Sequence, residues 1–356
     1  MNGQLRDGVV TVAGNARQQF YDARGYGTPD GGNTIRLSRV EAAHLLFRGD
    51  LDHIADNDGT SLDFESFFVA SASAAERFAL RFLVYAELRD RGFYLSPARE
   101  GWPGDDDDEW TDLTVYPRGT KPGDGDPSHR IVVVGERAAV PAAELGDVTL
   151  AVVDEESEIS YFETGVPEFD GGTDYQPPDS LSGSLIDDRV VVWDAPDGFF
   201  EHGFYGQPLT AREAIVDSAV QLSLVEAAGL AAEGHLDLTA ADSPAVEAII
   251  ERGRVVEGER FDRRLAVYRA LRDRQVVPKT GFKFGADFRT YNTVESVEDL
   301  PHSECLVRVV EQGHEFDPRE LSLDVRLAGG VRKRMVFALT TAKGEIEWLA
   351  VSRLTP

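Results

Sequence analysis

Leu37-Ser38-Arg39-Val40-Glu41-Ala42-Ala43 returns 185 residues later as Leu222-Ser223-Leu224-Val225-Glu226-Ala227-Ala228. Two further echoes keep the same order. Tyr85-Ala86-Glu87-Leu88-Arg89-Asp90-Arg91 comes back as Tyr268-Arg269-Ala270-Leu271-Arg272-Asp273-Arg274, at an offset of 183. Phe20-Tyr21-Asp22-Ala23-Arg24-Gly25-Tyr26-Gly27 is echoed by Phe200-Glu201-His202-Gly203-Phe204-Tyr205-Gly206, at about 180. Three ordered echoes at nearly one offset indicate a tandem duplication of a unit of about 180 residues, too long for a solenoid repeat. The join falls in the run 171–180, which is rich in Pro, Gly, Ser and Asp and has no apolar periodicity.

Each unit reads as two parts. The first begins with a β-branched run (Val9, Val10, Thr11, Val12; then Val190, Val191, Val192) and continues into the repeated helix that holds Glu41 or Glu226. The second opens with an amphipathic helix over 75–91 and again over 260–274, where Leu265, Tyr268 and Leu271 recur at helical spacing. Strand-like segments follow at 113–116, 131–134, 150–153 and 159–162, and in the second unit at 284–291, 305–310, 335–339 and 346–351. Such mixing predicts an α/β or α+β multidomain fold rather than a helical bundle. The expected division is 1–70 and 71–170 for unit one, a linker at 171–180, then 181–255 and 256–356 for unit two.

The charge separates the units further. The 356 residues carry 36 Lys+Arg against 63 Asp+Glu, a net of -27. The length allows two to three ordinary domains, and no apolar stretch approaches the roughly 18 residues of a membrane span. The first residues lack a basic stretch followed by an apolar one, so no signal peptide is expected. Cys305 stands alone, which rules out an intramolecular disulfide and a cysteine-cluster zinc site and suits a reducing cytoplasm. The lysines are few: Lys121, Lys279, Lys283, Lys333 and Lys343. An acidic, lysine-poor surface suits a halophile's cytoplasm, where molar salt screens self-repulsion within a few Å. The last 96 residues, 261–356, hold 16 basic and 14 acidic side chains, whereas the rest hold 20 and 49. That near-neutral segment is where a polyanion or phosphate site is expected. The acidic run 104–109 reads as an exposed insertion, because a calcium loop spaces its ligands around a tight-turn glycine.

Unit two also holds a cluster that unit one does not match. It runs Pro278-Lys279-Thr280-Gly281-Phe282-Lys283-Phe284-Gly285-Ala286-Asp287-Phe288-Arg289-Thr290-Tyr291, then Pro301-His302-Ser303-Glu304, then Arg326-Leu327-Ala328-Gly329-Gly330-Val331-Arg332-Lys333. Gly281 and Gly285 flank aromatics and lack the Gly-Lys-Ser/Thr ending of a phosphate loop, so they suit a turn. Singly, Tyr291 reads as a half-buried strand residue, His302 as a structural hydrogen-bonder and Lys333 as a surface charge. Together, a phenol, an imidazole and an ammonium can do metal-free acid–base work on a phosphodiester. Cys305 opens an apolar strand and reads as a buried thiol rather than a nucleophile.

On these stretches the chain resembles the archaeal tRNA-splicing intron endonucleases, in the class that carries two tandem units per chain and works as a homodimer. The resemblance spans the whole length and is sharpest at 268–274, 281–291, 302–303 and 326–333. It implies an N-terminal α/β subdomain and a C-terminal nuclease-like subdomain in each unit, with one unit keeping the active site. It also implies cutting of precursor tRNA at both junctions of a bulge–helix–bulge, leaving a 2′,3′-cyclic phosphate and a 5′-hydroxyl. Carried onto this chain, the family's Tyr is Tyr291, its His is His302 and its Lys is Lys333. Tyr291 would take or orient the 2′-OH proton, His302 would protonate the leaving oxygen, and Lys333 would stabilise the phosphorane. No metal or cofactor is then expected, and neither DNA nor a membrane is expected as a partner. The family's two base-sandwiching arginines fall on Arg326 and Arg353.

Unit one lacks these groups. Its Val115-Tyr116-Pro117-Arg118-Gly119 is expected opposite 288–291, with Arg118 or Gly119 at the place of Tyr291, and His129 near that of His302. No lysine stands at 148–150 where Lys333 would be. The resemblance makes this unit structural, with Asp154, Glu155 and Glu156 on an acidic hairpin that docks into the partner's catalytic unit. Two rival readings are a metal-dependent nuclease built on Asp287 and Lys333, and an inactive tRNA-binding scaffold. The first wants an acid two residues before the lysine, where Val331 stands.

Overall fold

Ser38 and Ser223 both have extended backbone, and each hydroxyl accepts the amide of the glutamate three residues on, while that carboxyl reaches back to the serine amide. These paired capping boxes fix the starts of the helices Arg39–Phe47 and Leu224–Ala232 and repeat the duplication bond by bond. The computed structural model describes residues 1–104, 110–210, 218–239 and 243–356, so most of the acidic run at 104–109 lies outside the described residues.

Each of these helices lies on a sheet of its own. In unit one the sheet has six strands, in the order Thr28–Pro29, Ile35–Ser38, Val9–Val12, Asn2–Arg6, His53–Ala55 and Ser61–Leu62. In unit two it has five, in the order Gln207–Pro208, Val220–Ser223, Arg189–Val192, Leu181–Ile186 and Leu236–Leu238. The alternating Val10 and Val12, or Val190 and Val192, point inward to the side covered by the helices Arg39–Phe47 and Leu224–Ala232, into cores that the helices Phe78–Asp90 and Arg260–Asp273 also join.

The remaining strands of both units join into one ten-stranded sheet. Its order is Val277–Thr280, Phe288–Tyr291, Cys305–Glu311, Arg334–Thr340, Ile346–Leu354, Ile159–Gly165, Thr149–Val153, His129–Gly135, Leu113–Tyr116 and Tyr94–Pro97. From either edge inward the pairings run antiparallel, antiparallel, parallel, antiparallel. The halves meet through Ile159–Gly165 and Ile346–Leu354, with Thr164 opposite Val351. A second junction pairs Val140–Pro141 with Glu315–Phe316, Val140 facing Phe316. Both contacts join equivalent positions, so an internal pseudo-twofold relates the two units. The core at this junction draws on both units, with Val132, Leu150 and Phe162 beside Leu306, Phe337 and Val351.

Among the described residues unit two carries one helix that unit one lacks. Between its short strand Glu315–Phe316 and Arg334–Thr340 it inserts the helix Pro318–Gly330, capped by the Asp317 carboxylate and led by a proline. Unit one has only the turn Ala142–Glu144 there.

Several elements differ in extent from those the sequence pattern predicts. The strand expected over 284–291 begins at Phe288, because Phe282–Phe284 forms a 3-10 turn that ends on Gly285 at φ +69°. Tyr94–Pro97 and Val277–Thr280 were not anticipated as strands, since each contains a proline; both lie at sheet edges, where a missing donor is tolerated. The segment 171–180 is anchored, because Gly172 and Thr173 donate to Asn292 and Gln275 carbonyls and the Thr173 hydroxyl accepts the Val294 amide. Among the described residues no helix is long and apolar enough to cross a membrane.

Candidate active site

Strand directions bring the three candidate groups to one end of the sheet. Tyr291 ends Phe288–Tyr291, which runs antiparallel to Cys305–Glu311, and His302 precedes the start of that second strand. Arg334–Thr340 runs parallel to Cys305–Glu311, with Lys333 just before it. The backbone closes the arrangement: the Glu304 amide donates to the Thr290 carbonyl, and the Arg334 amide to the Glu304 carbonyl, each at 2.9 Å. Lys333 Nζ donates to the Ser303 carbonyl at 2.7 Å, which ties the lysine to the segment carrying His302. Continuing the pairing of Met335 with Val351 by two residues carries Arg353 to the level of Lys333.

The side chains differ in setting. The Tyr291 ring is 5% exposed and packs with Phe204, Val277 and Val294. His302 is exposed and forms no hydrogen bond with a described residue. Lys333 is half-buried, and burial together with the nearby Arg289 guanidinium holds its ammonium below the usual lysine range. Arg326 sits on the outer face of the helix Pro318–Gly330, whose inner Leu321, Val325 and Ala328 pack on the sheet. Arg326 and Arg353 are both exposed and form no ion pair with a described residue. Cys305 is half-buried, and burial pushes its thiol pKa up, so it is a poor nucleophile.

Arg289 belongs to this end of the sheet and was missed. Two residues before Tyr291, it shares that residue's face of the strand. Its guanidinium lies 5.6 Å from the centre of the Tyr291 ring, and its buried Nε has no hydrogen-bond partner among the described residues. The i−2 spacing within a strand ending in Tyr291 was the available signal. Among the described residues no three His, Cys, Asp or Glu side chains gather as a ligand set.

Asp287 points elsewhere. Its carboxylate accepts the Val309 amide at 2.9 Å and pairs with Arg260 and with Arg264, the latter at 3.0 Å. Unit one repeats the clamp with Asp112, the Val133 amide, Arg77 and Arg81. A position committed identically in both units is part of the scaffold, which removes the first ligand from the metal-nuclease reading.

Strand register also corrects the alignment of unit one. Val115 faces His129 as Thr290 faces Cys305, and Thr149 faces Ile131 as Val336 faces Val307. Tyr116, not Arg118 or Gly119, therefore stands at the place of Tyr291. His129 matches Cys305, which leaves Asp126 at the place of His302 and Gly146 at that of Lys333. Unit one thus keeps a phenol, fully buried, but has a carboxylate and a glycine where unit two has its imidazole and ammonium. The acidic residues Asp154, Glu155 and Glu156 form the tip of the hairpin between Thr149–Val153 and Ile159–Gly165. Asp154 Oδ1 accepts the amides of Glu156 and Glu158, and Glu155 and Glu156 are exposed.

Comparison with known proteins divides the chain in the same way. A family model described as the tRNA intron endonuclease N-terminal domain matches twice, at residues 1–68 and 181–247. The companion model, the catalytic C-terminal domain, matches residues 261–348. Over 100% of both chains, the sequence is 54% identical to a tRNA-splicing endonuclease of Haloferax volcanii and 56% identical to one of Halobacterium salinarum. It is 36% identical to a tRNA-splicing endonuclease of Methanococcoides burtonii over 99% of each chain.

Proposed function

The chain belongs to the tRNA intron endonuclease family, and from that premise we propose that it cuts precursor tRNA at both exon–intron junctions of a bulge–helix–bulge, with the chemistry confined to unit two. The observation that supports the reading is that the catalytic-domain model matches the unit whose strand directions carry Tyr291, His302 and Lys333 to the same end of the sheet. The ribose 2′-oxygen attacks the adjacent phosphorus while its proton passes to the Tyr291 oxygen, whose own proton leaves to solvent. The bond from phosphorus to the 5′-oxygen breaks, and His302 supplies the proton that oxygen needs. The products are a 2′,3′-cyclic phosphate and a 5′-hydroxyl. Lys333, joined by Arg289, holds the charge that builds on the non-bridging oxygens. Because side chains provide acid, base and cation, the reaction needs no metal. Exposed and without carboxylate partners among the described residues, Arg326 and Arg353 are suited to stack on an unpaired base.

One set of groups per chain and two junctions per substrate call for two chains in a twofold assembly. In that homodimer the hairpin bearing Asp154, Glu155 and Glu156 docks against the partner's catalytic unit, where residues 261–356 carry the relative excess of cations.

Cleavage of an intron-containing precursor tRNA in molar salt tests the chemistry. The expected result is full activity with EDTA, cyclic-phosphate ends and no cleavage of a substrate 2′-deoxy at the scissile position. Cutting of the deoxy substrate, or complete loss with EDTA, contradicts the mechanism.

A further inference from the structure

Both units carry the same left-handed corner, and they place different residues in it. In unit one the corner is Gly25, at φ +65°; in unit two it is Phe204, at φ +50°. The surrounding bonds coincide. The Gly25 amide donates to the Tyr21 carbonyl at 2.8 Å and the Phe204 amide to the Phe200 carbonyl at 3.0 Å. The next residue, Tyr26 or Tyr205, lies 3.9 Å beneath the guanidinium of Arg89 or Arg272. Glycine is the residue such a corner favours, and a bulky side chain there persists only where its surroundings outweigh the strain.

At Phe204 those surroundings lead to Tyr291. Lys279, its side chain 10% exposed, donates to the Phe204 carbonyl at 3.2 Å, the Gly206 carbonyl at 2.9 Å and the Glu226 carboxylate at 2.8 Å. Its ammonium also lies 4.8 Å from the Phe204 ring centre. The ring so held stands nearly edge-on to Tyr291, with centroids 5.5 Å apart and planes at 65°. Unit one fills the same hollow from the opposite side. A Cβ on Gly25 would come within 2.7 Å of the Tyr94 ring, and by strand register Tyr94 stands at the place of Val277. Ser96 there takes the place of Lys279. The two units have thus exchanged the source of the ring. In unit two it comes from the five-stranded sheet's side, pinned by Lys279.

We propose that Phe204 is a positioning residue for Tyr291, with Lys279 holding it in its strained corner so that the first half of unit two sets the attitude of the phenol. The inference rests on the assignment of Tyr291 to the chemistry proposed above. An edge-to-face neighbour fixes the plane of a ring at the end of a strand, and a misplacement of about 1 Å in a reacting group costs on the order of 100-fold in rate.

Single-turnover cleavage by the full-length protein tests this, with Phe204→Gly made alone and together with Tyr291→Phe. Phe204→Gly, which suits the left-handed corner, is expected to slow cleavage by roughly 10- to 100-fold with RNA affinity unchanged. In the Tyr291→Phe background the same change is expected to cost less than about twofold, because residues acting through one group are not additive. Phe204→Tyr should retain most of the activity. Should the glycine variant not fold, Phe204→Leu, which keeps apolar volume without the ring, gives the same comparison. Equal slowing in both backgrounds, or none in the native background, overturns the inference and leaves the role of Tyr291 standing. A Tyr291→Phe variant as fast as the native protein overturns that role, and this inference with it.

Discussion

Glu41 and Glu226 occupy one position of the duplicated fold, and their carboxyls have taken opposite characters. Glu41 accepts the Gly27 and Ser38 amides at 2.6 and 2.9 Å, but burial outweighs these bonds and pushes its pKa up to about 7. Glu226 accepts the corresponding Gly206 and Ser223 amides at 3.0 and 3.1 Å. Burial raises it too, yet the charge and hydrogen bond of Lys279 bring it down to about 2. One difference, Ser96 against Lys279, separates a carboxyl that titrates near neutrality from one that stays ionised well into acid. Unit one stabilises its polar interior in another way, pairing the Tyr26 hydroxyl with His44 Nδ1 at 2.9 Å, where unit two has Gly229 packed beneath Tyr268. Burial and the nearby Arg89 push His44 down to about 4, so this histidine is a neutral core residue. The departures of unit two gather beside Tyr291; those of unit one serve its own core.

The largest effect should come from removing Lys279. Lys279→Met leaves the Glu226 carboxylate buried without its counter-charge, and breaking such a pair costs about 3–5 kcal/mol. Molar salt should not rescue it, since buried pairs are little screened. The matching change in unit one, Ser96→Ala, should cost less than about 1 kcal/mol, as typical of sites without such a network. Denaturant unfolding at neutral pH compares the two. Equal losses would mean that the pair contributes no more than ordinary packing.

Next in size are two opposed slopes of stability with pH. The folded-state pKa of Glu41 lies above its ordinary 4.5, so its contribution is complete below about pH 4.5 and is lost as pH rises through about 7. That of Glu226 lies below 4.5, so its contribution is present above about pH 4.5 and is lost as pH falls toward about 2. Glu41→Gln should therefore flatten stability between pH 4.5 and 7 and leave the acid side alone. If that slope survives, Glu41 is ionised throughout and the contrast between the units disappears.

A smaller effect, confined to assembly, is expected at the hairpin of unit one. Reversing Asp154, Glu155 and Glu156 to lysine should shift sedimentation toward monomers in moderate salt, and less so as salt rises. An unchanged dimer that still cuts both junctions would remove the hairpin from the interface.

Much of this contrast could be read from the sequence, and the rest was hidden for definite reasons. The duplication and both capping boxes are local, since Ser38–Glu41 and Ser223–Glu226 write their geometry into a three-residue spacing. The alignment of unit one slipped because the offset between units is not constant. It is 175 residues at Tyr116 and Tyr291, 176 at Asp126 and His302, and 187 at Gly146 and Lys333, after the helix Pro318–Gly330 has intervened. Only strand register fixes such equivalences. That helix was overlooked because its buried stripe is just Leu321, Val325 and Ala328, among exposed Leu323 and Leu327 that blur the period. Arg289 resembles any other arginine until its strand neighbour Tyr291 gives it a face. The exchange of Tyr94 for Phe204 is invisible in either segment alone, because the hollow they fill lies between two sheets.

The central claim, that one unit reacts while the other only supports it, is tested most directly by His302→Ala beside its counterpart Asp126→Ala. In single-turnover cleavage of an intron-containing precursor tRNA, His302→Ala should fall by on the order of 100-fold or more, the contribution of a general acid. It should still bind the RNA, and Asp126→Ala should cut at the native rate. Comparable losses from the two substitutions, or native cleavage by His302→Ala, would contradict the account.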